Sequence, residues 1–178
     1  MTRVIYVIGI PGSGKTTMVE RALDRIPLTG HTEFDPFGYT DYGWLIHLGR
    51  RGTVFGGTDG LSMSVQPRAI EWIKTVTCDV VIGEGDRLAN AGFLDACPNL
   101  TLVYLDTPLT LARERSDQRA ARTGRDTQSS KWWRGRVTKV DNLIGRRAHV
   151  RYDGTAPKDE LSARLAALIG NELSQLAK

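Results

Sequence analysis

The stretch that most constrains the fold is GIPGSGKT, residues 9–16, because it lies between a run of β-branched residues and a helical pattern. The spacing Gly9-x-x-x-x-Gly14-Lys15-Thr16 in a strand, loop and helix context is typical of a phosphate-binding loop. Glycines there let backbone N–H groups point into one concavity, and the start of the helix adds its dipole. We therefore predict that the loop binds the phosphates of a nucleoside triphosphate through Gly9, Pro11, Gly12, Ser13, Gly14, Lys15, Thr16 and Thr17.

Two side chains of this loop have distinct expected roles. Lys15 is placed to hold β- and γ-phosphate oxygens, and the Thr16 hydroxyl is placed to ligate Mg²⁺. A chance glycine turn with an exposed lysine is the alternative, and the flanking strand and helix argue against it. The expected cofactors are therefore ATP and Mg²⁺.

Short β-branched runs alternate with helical patterns along the chain, which predicts an α/β fold. Together with the loop, this pattern indicates a P-loop NTPase fold with helices on both faces of a five-stranded parallel sheet, in the order 2-3-1-4-5. The strands are expected at 3–8, 31–34, 79–83, 100–105 and 148–152, whereas DYGWLIHLGR, residues 41–50, is expected to be helical. With 178 residues and no linker, we expect residues 1–178 to form a single domain.

Composition excludes several classes of protein. Apolar residues make up 40% and charged residues 25% of the chain, which is the balance of an ordinary soluble globular protein. The apolar run before the glycine loop is too short for a signal peptide or a membrane span, so we expect a cytoplasmic protein. Cys78 and Cys97 lack the spacing of a metal or redox pair, which predicts reduced, buried thiols.

A phosphate-binding loop also occurs in motors, GTPases and helicases. The chain is short for most ATPase machines, and it contains no NKxD guanine signature. These absences favour a small phosphotransferase. In VVIGEGDR, Glu84 follows a strand and is expected to hold Mg²⁺ or to act as the base. Asp86 and Arg87 are candidates for contacting the acceptor, or else form a surface ion pair of little energetic value.

Asp35, in HTEFDPFGY, is the other candidate base. It follows the predicted second strand, whose end lies beside the phosphate-binding loop in this topology, so its carboxylate could take the proton of an attacking hydroxyl. The alternative is a turn-forming or capping aspartate before the next loop.

A basic segment follows the fourth predicted strand. Residues 111–151 contain twelve basic and four acidic residues, a net charge of +8. Arg115 and Arg119 share a helix face, which Arg122 extends, as expected of a lid at approximately 111–147 that closes over the γ-phosphate. A solvated basic helix face is the alternative reading. The charge also favours a polyanionic partner.

These motifs resemble those of small P-loop kinases. The segment DGTAPKDEL, residues 153–161, is similar to the adenine-holding loop of nucleoside monophosphate kinases, which implies a nucleotide contact at Gly154. GIPGSGKTT, Asp35 and DTPLTLARERSDQR resemble the 5′-hydroxyl polynucleotide kinases, and the resemblance implies that Asp35 is the base and that Arg115 and Arg119 act in the lid. The chain lacks the DR-F/Y arrangement of thymidylate kinases and the phosphatase domain of polynucleotide repair enzymes.

The segment QSSKWWRGRVTKVDNL, residues 128–143, is similar to a stretch of bacteriophage kinases that phosphorylate 5-hydroxymethyluracil in DNA. Its apolar stripe of Trp133, Val137, Val140 and Ile144 has helical spacing and predicts a core face. Trp132 lies off that stripe. A mixture of basic and aromatic residues favours nucleic-acid strands or flipped bases, although a charged helix with an exposed tryptophan gives the same pattern. The candidate acceptor-binding residues here are Lys131, Trp132, Arg134, Arg136 and Lys139.

The sequence thus predicts an ATP-dependent kinase that phosphorylates a hydroxyl of a nucleotide-type acceptor. The favoured acceptor is the 5-hydroxymethyl group of 5-hydroxymethyluracil in phage DNA, which would place the enzyme in the cytoplasm of an infected host cell. The alternatives are a kinase of free deoxynucleoside monophosphates and, in another class, a nucleotide-binding regulatory or toxin-like module.

Overall fold

A computed structural model describes residues 1–28, 32–34, 38–52 and 56–176, with the backbone alone described at 32–34. Its strands are β1 Arg3–Ile8, β2 Thr32–Phe34, β3 Tyr39–Asp41, β4 Leu45–Leu48, β5 Val80–Glu84, β6 Leu100–Asp106 and β7 Val150–Asp153. Its helices are α1 Lys15–Leu23, α2 Gln66–Thr75, α3 Ala91–Ala96, α4 Leu109–Arg122, α5 Ser130–Ile144 and α6 Lys158–Leu176, with a short 3₁₀ turn at Thr58–Gly60.

The seven strands form one sheet in the order β2-β3-β4-β5-β1-β6-β7. The five strands from β4 to β7 in this order are parallel, whereas β2 and β3 join the edge as an antiparallel pair. The prediction of an α/β fold with a parallel sheet is confirmed, and the parallel strands follow the order 2-3-1-4-5. The predicted count of five strands is wrong, because the sheet continues beyond its parallel part.

The predicted second strand also has a different place. The expected strand at 31–34 corresponds to β2, which lies at the antiparallel edge, and the second parallel strand is β4. The helix expected at 41–50 is also wrong, because that stretch contains the end of β3 and all of β4. All four residues of β4 are buried, so this strand lacks the alternation that distinguishes a strand from a buried helix.

Two apolar layers cover the central strands. One contains side chains of α1 and α6, such as Met18 and Leu165, and the other contains side chains of α2 and α3, such as Ile73 and Phe93. Every residue of β5 and all but the first of β1 are buried, as expected for parallel strands covered on both faces. The carboxyl ends of β1 and β5 therefore open at the same edge of a rigid sheet.

Helices α4 and α5 make up the segment predicted as a lid. Ala112 is the one buried residue of α4, whereas α5 buries Trp133, Val140 and Leu143. Val137 and Ile144 are half-buried, so the predicted apolar stripe does face the protein. None of the helices in the described ranges is long and apolar enough to cross a bilayer. Both cysteines are free thiols, and Cys97 is buried while Cys78 is half-buried.

Candidate nucleotide and acceptor site

The loop between β1 and α1 has the geometry of a phosphate-binding loop. The α1 helix begins at Lys15, directly after Gly14, whose φ of 101° lies in the left-handed region. The Lys15 ammonium turns back onto the loop and donates to the carbonyls of Gly9, at 2.9 Å, and Ile10, at 3.1 Å. Burial lowers the pKa of Lys15, and the carboxylates of Glu84 and Asp59 oppose that lowering. The two hydrogen bonds hold the Lys15 ammonium at the place where phosphate oxygens would enter.

Thr16 and Glu84 meet at the ends of α1 and β5. The Thr16 hydroxyl donates to Glu84 Oε1 at 2.8 Å, and Glu84 Oε2 is buried without a hydrogen-bond partner. Burial raises the pKa of Glu84 to about 7, although Lys15 and Thr16 both pull it down. A hydroxyl, a carboxylate and an unsatisfied carboxylate oxygen fit Mg²⁺, which takes one or two protein oxygens together with phosphates and water.

Two glycines pack closely against this pair. A Cβ at Gly56 would lie 2.5 Å from the Thr16 methyl group, and one at Gly57 would lie 2.0 Å from Glu84 Oε1. Both distances are shorter than any contact that carbon atoms tolerate, and Gly57 also has a φ of 59°. The GTVFGGTDGLSMS segment therefore contributes, through these two glycines, a close-packed side of the site rather than a simple surface loop.

The turn after β5 is tied to two other elements. The backbone N–H groups of Asp86 and Arg87 donate to Asp59 Oδ1 at 2.6 Å and 3.1 Å. The carboxylate of Asp86 forms ion pairs with Arg136 and with Lys139, the latter at 2.8 Å. The surface pair between Asp86 and Arg87 considered as the alternative is therefore absent, since Asp86 pairs with α5 instead. Arg87 contacts the sulfur of Met63.

The arginines of α4 face the phosphate-binding loop. Arg115 donates from Nη1 to the Ser13 carbonyl at 3.3 Å, and Arg119 and Arg122 follow on the same side of the helix. Arg113 points elsewhere and lies over the ring of Trp133, at 5.6 Å from its centroid. The described structure thus brings together the three arginines that the sequence placed on one helix face.

These groups line one cleft of about 780 Å³. Many of the residues predicted for the site lie in its walls, namely Pro11, Gly12, Gly14, Lys15, Thr16, Thr17, Glu84, Asp86, Arg87, Arg115, Arg119, Trp132, Arg136 and Lys139. Lys131 and Arg134 are exposed on α5 and are not part of this lining. Asp35 lies outside the described residues, so its role as the base stays a prediction.

The family of P-loop kinases described as P-loop Nucleotide Kinase3 matches residues 1–162 of the sequence. This chain belongs to that family. The unliganded crystal structure of a sugar kinase from Janibacter sp. HTCC2649 is similar, with a TM-score of 0.52 and 16% identity over 96% of this chain and 95% of that one. At this identity the likeness shows the fold. No curated protein matches the sequence.

Membership of this family identifies the chain as a P-loop kinase, which is a nucleotide-binding phosphotransferase. The resemblance to kinases of 5-hydroxymethyluracil in phage DNA stays a prediction, because neither comparison names that acceptor.

The kinase has a smaller cavity of about 30 Å³ beside the phosphate-binding loop. Gly154 lies in its wall with Thr17 and Arg115, and the Gly154 N–H donates to the Asp106 carbonyl at 2.6 Å. This position lies in the loop between β7 and α6. The contact of Gly154 with a nucleotide base stays a prediction.

Sequence reasoning missed some residues of the kinase cleft, which are Gly56, Asp59, Met63, Gln118 and Lys158. Asp59 lies in a glycine-rich segment that carries no known motif, and it is held at the site by contacts with the turn after β5, 27 residues away. A single acidic residue in a run of glycines and serines was the one available signal. Lys158 is the first residue of α6, after Pro157, where the sequence shows only a helix beginning.

Proposed function

We propose that this P-loop kinase transfers the γ-phosphate of ATP to a hydroxyl of a nucleotide-type acceptor, and that the acceptor is the 5-hydroxymethyl group of 5-hydroxymethyluracil in DNA. One observation carries the proposal. A single cleft joins the phosphate-binding loop, the arginines of α4 and an aromatic and basic face of α5. The first two serve phosphate transfer, and the third suits a base with an attached phosphate.

The donor half follows from the described contacts. Phosphate oxygens would replace the carbonyls of Gly9 and Ile10 as partners of the Lys15 ammonium. Thr16 and Glu84 would hold Mg²⁺, which neutralises charge that develops on the phosphates. Arg119 lines the same cleft, and its side chain has no hydrogen bond or ion pair with the described residues, so its guanidinium is available to the transferred group.

The acceptor half is carried by α5 and the turn after β5. The Trp132 side chain is half-buried in the cleft wall, with the Arg136 guanidinium 5.0 Å from its ring centroid. Aromatic rings stack on every base, and a cation next to the ring favours a phosphorylated ligand. Arg87 adds a second guanidinium at the cleft wall. A hydroxyl on such a base would face the phosphates of the donor.

Exposed cations outside the cleft support a polymeric acceptor. Lys131 and Arg134 lie on the same helix as Trp132, yet they are exposed and do not line the cleft. A free mononucleotide has no phosphate to place there, whereas a DNA strand has phosphates on both sides of the modified base. This difference is the reason that we favour DNA.

The experiment that tests the proposal uses γ-labelled ATP and Mg²⁺ with a panel of acceptors. The panel contains DNA with 5-hydroxymethyluracil, ordinary DNA with free 5′-hydroxyl ends, and the deoxynucleoside monophosphates. We expect label on the modified base after digestion to nucleosides. Label at 5′ ends or on a monophosphate alone would overturn the choice of the modified base, and no transfer to any acceptor in the panel would overturn the proposal of a nucleotide-type acceptor.

A charge variant of the exposed face sharpens the test. We expect the double variant Lys131→Glu and Arg134→Glu to weaken DNA binding and to lower the slope of log affinity against log salt by about 2, since each lost phosphate contact accounts for about 0.9. Lys74→Glu is the control, because it removes an exposed cation at the C-terminal end of α2. Equal salt slopes in all three proteins would show that α5 does not contact the DNA backbone.

A second candidate function is phosphorylation of free deoxynucleoside monophosphates. The observation that favours it is the number of cations inside the cleft, where Arg87, Arg136 and Lys139 together could bind one monophosphate. In that case the double variant above would leave transfer unchanged, because neither substituted residue lines the cleft.

A further inference from the structure

Asp59 lies on a turn that the core holds in place. It belongs to the 3₁₀ turn Thr58–Gly60, and the Thr58 side chain is fully buried. The Thr58 hydroxyl is 3.0 Å from the Tyr6 hydroxyl, which itself donates to the Gly85 carbonyl at 3.1 Å. The turn is therefore fastened both to β1 and to the end of β5, so Asp59 has little freedom to move relative to the phosphate-binding loop.

One oxygen of the Asp59 carboxylate is occupied and the other is open. Oδ1 accepts the N–H groups of Asp86 and Arg87. No donor among the described residues reaches Oδ2, and Asp59 is half-buried in the wall of the cleft. The side chain is thus oriented by the backbone while one oxygen stays available for a ligand.

The other carboxylates at this end of β5 differ in this respect. Asp86 is engaged by Arg136 and Lys139. Glu84 is engaged by Thr16 through Oε1, and its unengaged Oε2 is buried at the expected Mg²⁺ position. Asp59 is close enough to Lys15 and Glu84 that its charge raises the pKa of both groups. Within the described part of the chain, Asp59 is the half-buried cleft carboxylate that combines a fixed orientation with an unengaged oxygen away from the expected Mg²⁺ position.

We propose that Asp59 accepts the proton of the attacking hydroxyl through Oδ2, an inference that rests on the kinase function proposed above. As the hydroxyl oxygen bonds to the γ-phosphorus, its proton passes to the Asp59 carboxylate. The bond between the γ-phosphorus and the bridging oxygen breaks, and its electron pair leaves with ADP. Asp35, which the sequence predicts for this role, then becomes the competing candidate.

The test compares Asp59→Asn with Asp59→Ala. Asparagine keeps a carbonyl oxygen that can accept the two backbone N–H bonds, but its amide group donates a hydrogen bond and takes no proton. Alanine removes both functions. Asp79→Asn is the matched control, because it makes the same change just before the first residue of β5, at the opposite end of that strand.

We expect Asp59→Asn to lower kcat for transfer about 100-fold or more, with the KM for ATP and the melting temperature close to wild type. Asp59→Ala should lose activity to the same extent and should also melt earlier. If Asp59→Asn transfers phosphate within about three-fold of wild type while Asp59→Ala is impaired, the carboxylate has only a structural role and the proposal is overturned.

Hydrolysis of ATP without an acceptor separates this inference from the choice of acceptor. Water then attacks the γ-phosphorus in place of the acceptor hydroxyl. Asp59→Asn should therefore slow hydrolysis even if the wild-type enzyme phosphorylates nothing in the panel. A failure of every acceptor together with slower hydrolysis in Asp59→Asn would overturn the proposed function and retain Asp59 as the proton acceptor. Unchanged hydrolysis in Asp59→Asn would overturn the role of Asp59 whichever acceptor is used.

Discussion

At the scale of single residues, Glu84 shows how the site lowers the stability of the folded protein. Its carboxyl is almost completely buried, and burial raises its pKa from 4.5 to about 7. Below pH 4.5 the group is protonated in both the folded and the unfolded chain, so burial carries no charge penalty. As the pH rises through 4.5 toward 7, the unfolded chain ionises first, and stability is lost.

We expect Glu84→Gln to remove this pH dependence. In the absence of Mg²⁺ and nucleotide, the variant should match wild type near pH 4 and exceed its free energy of unfolding at pH 8 by about 3 kcal/mol. Urea unfolding at the two pH values measures the difference. Burial lowers the pKa of His47 to about 4, so the folded protein also loses stability as the pH falls toward 4. This loss is common to wild type and variant. An equal gap at both pH values would contradict the prediction.

Residues differ in how far the sequence reveals them. Lys15 and Thr16 follow from a motif of fixed spacing, and Glu84 follows from the rule that ligands gather at the carboxyl ends of parallel strands. Asp59 follows from neither, because its orientation depends on two backbone N–H groups of a turn that is distant in sequence. Local patterns do not encode such a contact.

At the scale of elements, α4 carries arginines with different attachments. The Arg115 side chain is anchored to the Ser13 carbonyl, whereas the Arg119 side chain makes no hydrogen bond or ion pair with the described residues. We expect Arg119→Ala to lower kcat about 1000-fold without changing the melting temperature, because arginines of this kind stabilise transferred phosphate. Arg115→Ala should lower both kcat and the melting temperature, because it also removes the contact with Ser13.

Steady-state kinetics and thermal melting of the two variants check this difference. Arg146→Ala is the control, since it removes an exposed arginine just beyond the C-terminal end of α5 and outside the cleft. A large loss of stability in Arg119→Ala, or a kcat near wild type, would contradict an unattached phosphate-binding arginine.

The elements also show where sequence patterns fail. The arginine face of α4 and the apolar stripe of α5 were predictable, because amphipathic helices have a characteristic period. The β4 strand was not, because a strand buried on both faces shows an unbroken apolar run. Nor did the pattern indicate that Asp86 would pair with Arg136 and Lys139, since ion pairs between distant elements leave no periodic signal.

At the scale of the whole molecule, the order of the parallel strands followed from the phosphate-binding loop and the alternation of strands and helices. The antiparallel edge of β2 and β3 could not be predicted, because short edge strands depend on the neighbour that they join. The described structure therefore matches the expectation most closely around β1, β5 and β6, next to the phosphate-binding loop.

Binding of MgATP should stabilise the whole fold through this rigid centre. At a ligand concentration of 100 times Kd we expect about 2.7 kcal/mol, and for a chain of this size a rise in melting temperature of about 5–10 °C. Differential scanning fluorimetry with ATP and Mg²⁺ measures it, and adding EDTA should reduce the rise. A rise that is equal with and without EDTA would contradict Mg²⁺ binding by Thr16 and Glu84.

The two glycines behind Thr16 and Glu84 divide the cleft into sides with different evolutionary freedom. No side chain fits at Gly56 or Gly57 without displacing Thr16 or Glu84. Met63 and Trp132 line the acceptor side of the cleft, and the Met63 side chain is largely exposed to solvent. A lineage that acquires a new acceptor can therefore vary the outer wall residue by residue, whereas the inner wall must be inherited intact with the phosphate chemistry.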